Sequence, residues 1–184
     1  CGNDNAAWEL LTSCGRKPDF APFYAWRALF AKQIKGVLAP LDDAIQAAEQ
    51  DDSDWRSINL LVEIYSDKRN DRLELAYLLA KRYYRPASEV YQLGVSYART
   101  LLLTGRYQEA SELLSKIVIL PFEGSTEGRN LYKEAELMQA LERMRSGDWA
   151  RARAFITAAR QWPENLGAGK PYPEDVDERL EGWL

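Results

Sequence analysis

The sequence predicts an all-α chain, an α-α superhelix of stacked antiparallel helix pairs. Three observations predict it. The pattern Gly-x-aromatic-x-x-Ala occurs twice, as Gly105-Arg106-Tyr107-Gln108-Glu109-Ala110 and Gly147-Asp148-Trp149-Ala150-Arg151-Ala152. Each copy opens an apolar stripe spaced by three and four residues, one face of a helix. Strand signals are nearly absent.

The elements follow in order. Gly2 to Ala7 is the weakest copy of the pattern, with Trp8, Leu11 and Cys14 as its stripe, Pro18 in the stop position and Asp4 where the aromatic belongs. Residues 20–34 carry Phe23, Trp26, Arg27 and Phe30 and form the first helix of a pair. Leu41 stands three residues before Ala44 and opens the second. Residues 54–66, with Trp55, Ile58, Leu61 and Tyr65, are again a first helix, followed by a second from Leu73, three before Ala76. Residues 88–103 carry Tyr91, Gly94, Tyr97, Ala98 and Leu101, and Tyr107 opens their partner. That stripe (Ala110, Leu114, Ile117) runs through Ile117-Val118-Ile119-Leu120 into Pro121, which reads as a helix end because proline has no N–H and clashes with the preceding turn. Residues 128–146, with Leu131, Ala135, Met138 and Leu141, precede the last second helix, from Trp149 through Ala152, Ile156 and Ala159 to Pro163. The anchors at 4, 41, 73, 107 and 149 lie 37, 32, 34 and 42 residues apart. The large aromatics are expected beside the small residues, in the core between stacked pairs, since one pair cannot bury its apolar face alone.

Two segments are richer than a plain repeat needs. The loop from Leu120 to Arg129 accounts for the wide last spacing. Ser125 or Thr126 is placed to cap the following helix, so the loop reads as a capped turn between repeats; the alternative is that it sets Glu123 and Arg129 at a partner surface. The second segment runs from Trp162 to Pro173. Its Gly167-Ala168-Gly169-Lys170 invites comparison with a phosphate loop, but Glu164 stands where the first glycine belongs and Pro171 where Ser or Thr is required. The predicted organisation is residues 1–163 as about four and a half helix pairs, starting on a second helix, and 164–184 as a Gly/Pro loop with a short capping helix at 177–184.

The turn glycines, Tyr107 or Trp149, the alanines three beyond and the terminal prolines resemble the tetratricopeptide repeat family across roughly residues 2–163. The usual Leu-Gly pair is displaced to Leu93-Gly94, and Glu136 and Gln139 occupy positions usually apolar. The resemblance implies a right-handed solenoid whose first helices line a concave face. By repeat position, Trp26, Leu29, Gln33, Gln92, Val95, Arg99, Leu137 and Leu141 are the candidate binding residues there, with Arg99 placed to pair a carboxylate in bidentate fashion. More narrowly, "LPFEGSTEGRNLYKEAELMQAL", "ARQWPENLGAGKPYPEDVDERLEGWL" and "PDFAPFYAWRALF" resemble the C-terminal repeat region of bacterial DUF5107-containing proteins. That likeness implies a helical accessory region of a longer, carbohydrate-related protein, and it brings no catalytic residues.

Composition narrows the function classes. The chain has 184 residues and no histidine, so the commonest general base and metal ligand are missing. Two cysteines, Cys1 and Cys14, make no zinc site without histidine, and helix between them would hold them too far apart for a disulfide. A net charge of -4 gives no reason to expect nucleic acid, and no apolar run is long enough for a membrane span. The adjacent carboxylates Asp42-Asp43 and Asp51-Asp52 point apart and suit helix starts and turns. The expected function is therefore non-catalytic, without metal or cofactor: binding a protein or peptide, or another domain of the same chain. The alternative is an intramolecular spacer or dimerisation arm. Cys1-Gly2 has two readings, an excised fragment, which the repeat register favours, and the lipid-modified start of a mature lipoprotein. The compartment, cytoplasm or periplasm, and the oligomeric state stay open.

Overall fold

The computed structural model describes residues 3–15, 17–36, 38–86, 90–121 and 125–167. The described residues are helical with no strand, and within each of two units the helices pack on their neighbours in sequence. The chain forms two compact units, Cys1–Tyr84 and Arg85–Leu184.

The first unit holds α1 (Asp4–Thr12), α2 (Ala21–Lys35), α3 (Leu41–Gln50), α4 (Trp55–Tyr65) and α5 (Leu73–Tyr83). The second holds α6 (Tyr91–Leu103), α7 (Tyr107–Leu114), α8 (Glu127–Arg145) and α9 (Trp149–Ala159). The five anchors read from sequence, 4, 41, 73, 107 and 149, are the first residues of α1, α3, α5, α7 and α9. The alanine three residues beyond the last four anchors is sealed: Ala44, Ala76 and Ala110 are 0% exposed and Ala152 is 1%. A methyl side chain at each crossing lets two helices approach closely, so dispersion contacts form along both backbones. Ala28, Ala98 and Ala135 do the same on the first helices.

The turns use left-handed residues to reverse the chain. Gly105 has φ +74 and Gly147 φ +80. After α6, the N–H of Gly105 reaches Leu102 O and that of Arg106 reaches Leu101 O, so orphan carbonyls at the helix end are satisfied. In the turn between α4 and α5 the left-handed residue is Asp71, φ 49, a role the sequence pattern does not announce.

In the first unit, α2 and α3 are clamped by an ion pair. Arg27 Nε donates to Asp43 Oδ2 at 2.7 Å and Nη2 to Oδ1 at 2.5 Å. The guanidinium also lies against the rings of Phe23 and Tyr24. The Asp43 hydrogen bonds hold the Arg27 pKa above its ordinary value.

In the second unit the two unusual loops meet each other. Ile117-Val118-Ile119-Leu120 is not the end of a helix: α7 stops at Leu114. Ile117 and Ile119 are 4% and 3% exposed, Val118 and Leu120 67% and 74%. That alternation is the period of an extended chain. The carbonyls freed at the end of α7 find a partner elsewhere. Asn165 Nδ2 donates to Leu114 O at 2.9 Å and to Ile117 O at 2.7 Å, and the Ile119 N–H donates to Asn165 O at 2.7 Å. Leu166, beside it in a 3-10 turn, is 0% exposed. Residues 164–167 therefore pack against the segment that follows α7 in this unit.

Two further expectations change here. Thr126 stands at the N-cap of α8 without a side-chain cap bond, and Ser125 is buried. Arg129 is not at a partner surface. It is 5% exposed, sits 4.1 Å from the Trp162 ring centroid, and donates from Nη2 to Ala159 O at 3.3 Å. The negative end of the α9 dipole thus helps hold a buried cation. Glu123 and the expected capping helix at 177–184 lie outside the described residues. Trp149, expected in the core, is 58% exposed; the buried residues of α9 are Ala152 and Ala159.

Candidate functional site

In the second unit α6 packs directly on α8. In the first unit a groove of about 550 Å³ opens between α2 and α4. Pro22, Ala25, Trp26, Leu29 and Lys32 line it from α2, and Trp55, Arg56, Asn59, Leu60 and Glu63 from α4, with Asp54 and Ser57 at the start of that helix. Spacings of three and four place each set on one helical face. The opposite face of α4, carrying Ile58, Leu61 and Val62, is buried, so the groove stripe is the one the packing leaves over.

The floor and walls are apolar, with Leu29 and Leu60 half-buried. Trp26 is 56% exposed and stacks on Phe30 with ring centroids 6.0 Å apart. The polar groups are all engaged. Lys32 forms an ion pair with Glu63 that links the two helices, and Asn59 Nδ2 donates to Glu63 Oε1 at 3.1 Å. Asp54 caps α4, accepting from the Arg56 and Ser57 N–H groups at 3.2 Å each and from Ser57 Oγ at 2.7 Å. Arg56 lies 4.7 Å from the Trp55 ring centroid.

The eight candidate residues do not converge. Trp26 and Leu29 line the groove; Gln33, farther along α2, is exposed and outside it. Gln92, Val95 and Arg99 are on α6, Leu137 and Leu141 on α8. Val95 and Leu137 are 5% and 4% exposed, so they are packing residues and offer no contact surface. The Arg99 guanidinium pairs with Glu127 of its own unit. Gln92 and Leu141 are half-buried. The contribution of α4 was missed. Its signal was a second stripe, 56, 59, 60 and 63, interleaved with the core stripe.

A second polar cluster joins α7 to α8. Ser111 Oγ donates to Glu136 Oε1 at 2.6 Å, and Gln139 Nε2 donates to Ser111 Oγ at 2.9 Å. Glu136 and Gln139 are the two residues that depart from the apolar pattern expected of α8 from the sequence resemblance. Desolvation raises the Glu136 pKa, opposed by the Ser111 hydrogen bond. An acid whose folded pKa is raised contributes full stability below its unfolded pKa, about 4.3, and loses it as pH rises through the folded value. Glu136→Gln keeps an acceptor for Ser111 and removes the charge. It is expected to leave the urea midpoint at pH 4 unchanged and to raise it at pH 7. A midpoint at pH 7 at or below that of the parent chain would show that the ionised carboxylate is the better-held form.

No group of three or more His, Cys, Asp or Glu able to hold a metal occurs among the described residues, and no helix among them is long and apolar enough to cross a membrane. Comparison with protein-family models, curated proteins and solved structures returns no match.

Proposed function

We propose that the chain is a non-catalytic interaction module of tetratricopeptide-like helix pairs, right-handed as that resemblance implies, which holds a peptide segment in the groove between α2 and α4. The observation that carries this is Trp26. An indole 56% exposed at the wall of a cavity lined by Leu29 and Leu60 is a large apolar surface that a ligand would take out of water, and tryptophans dominate binding energy at such sites. The non-catalytic part of the reading draws on the groove carboxylates. Asp54 is committed to capping a helix and Glu63 to two neighbours, which leaves neither placed as a general base. The occupant belongs to another protein or to another domain of the same chain, as expected for the repeat region of a larger bacterial protein of the DUF5107 kind.

Peptides selected from a randomised display library against the whole chain test this. Trp26→Ala is expected to weaken the selected peptides by about tenfold or more, with the chain still folded, since more than half of the side chain is exposed. Equal binding to Trp26→Ala would remove the groove as the site.

A second reading, a spacer or dimerisation arm, draws on α1. None of its residues is buried and Leu10 is 74% exposed. Light scattering on the eluting chain distinguishes a dimer from a monomeric adaptor.

A further inference from the structure

The charges around the groove say which peptides it accepts. Resting on the reading that the groove is the binding site, we infer that its partner is a peptide with an apolar anchor, aromatic or branched, and that the groove does not select acidic segments. Each charged lining residue faces an opposite charge within the lining itself. Lys32 pairs with Glu63, and both Glu63 oxygens are engaged, the second by Asn59. Asp54 spends both oxygens on the first turn of α4. A ligand carboxylate would have to share Lys32 with Glu63, which already neutralises it, and both side chains are about a third exposed, so the added pairing brings little electrostatic gain.

Arg56 is the group that could argue otherwise. Its Nη1 is 3.8 Å from Asp54 Oδ1 and its side chain is 73% exposed. A charge so placed sits at the rim in high dielectric, where pairing is worth little. It steers an approaching ligand more than it fixes one. The gain available in the groove is apolar. Trp26, Leu29 and Leu60 present apolar surface to water that an apolar side chain would cover, in a cavity of about 550 Å³.

The test uses peptides selected from a randomised library against the whole chain, titrated at low and high sodium chloride. Selected peptides are expected to share an apolar anchor and to keep their Kd within about twofold across the salt range. An acidic consensus, or a Kd weakened about tenfold by salt, overturns the inference while leaving the groove a peptide site. Failure to select any peptide that depends on Trp26 overturns the binding reading itself, and this inference with it.

Discussion

Replacing Gly167 by alanine is expected to destabilise the second unit by about 3 kcal/mol, near the upper end of ordinary single substitutions. Two costs combine. Gly167 has φ +74, where any side chain adds about 1–2 kcal/mol. The added Cβ would also lie 2.7 Å from Ile119 O, 2.9 Å from Ile119 Cγ2 and 3.0 Å from Ser125 Oγ. The first of these atoms is backbone, held in place because the neighbouring Ile119 N–H is bonded to Asn165 O, so it cannot rotate away as a side chain would. Gly147 separates the two costs. Its φ is +80, yet nothing lies within 4 Å of a Cβ built there. Gly147→Ala should therefore lose about 1 kcal/mol only. Urea unfolding of both variants, followed by hydrogen exchange in α8, checks the difference. Equal losses would mean that the loop carrying Gly167 yields freely and does not lock the unit.

What the sequence made legible follows from how local each feature is. The second helices were placed to their first residue because the anchor and the alanine three beyond it sit on one turn, and the alanine is sealed in each of the last four copies. First helices were readable from their stripes for the same reason. The groove was half legible. Trp26 and Leu29 were found by repeat position, but Val95, Leu137 and Arg99, at corresponding places in the second unit, are buried or paired. Repeat position fixes where a residue stands on its helix. It does not fix whether the next first helix closes on it, as α8 does on α6, or stands off, as α4 does from α2. The meeting of the two unusual loops was not legible, since Asn165 lies 48 residues from Ile117. Hydrogen bonds at that separation leave no periodic trace in the intervening chain.

The segment from Ile117 to Leu120 reads as a helix end in a sequence that is apolar at all four positions, and it is the alternating burial in the structure that shows otherwise. Residues two apart on a helix differ by about 200°, so Ile117 and Ile119 cannot share one buried stripe; in an extended chain they must. Ile119 occupies the centre of the contact between loops. Its N–H bonds Asn165 O, its Cδ1 lies 2.6 Å from where a Cβ on Gly128 would stand, and its side chain is 3% exposed. Ile119→Ala is expected to cost about 3 kcal/mol, the transfer of the lost methyl groups plus the cavity left between Gly128 and Gly167. Leu120→Ala, one residue on and 74% exposed, should stay within about 0.5 kcal/mol. A helix continuing the stripe Ala110, Leu114 and Ile117 would predict the reverse contrast, because Leu120 would stand about 300° on from Ile117, near the buried face, and Ile119 about 200° on, opposite it. Urea midpoints for the two variants decide the matter, and a larger loss from Leu120→Ala than from Ile119→Ala would return the segment to a helical register. The expected contrast ties the two loops into one structural element: Asn165 satisfies the carbonyls that α7 leaves open, and Ile119 and Leu166 supply the apolar contact that keeps Asn165 in place.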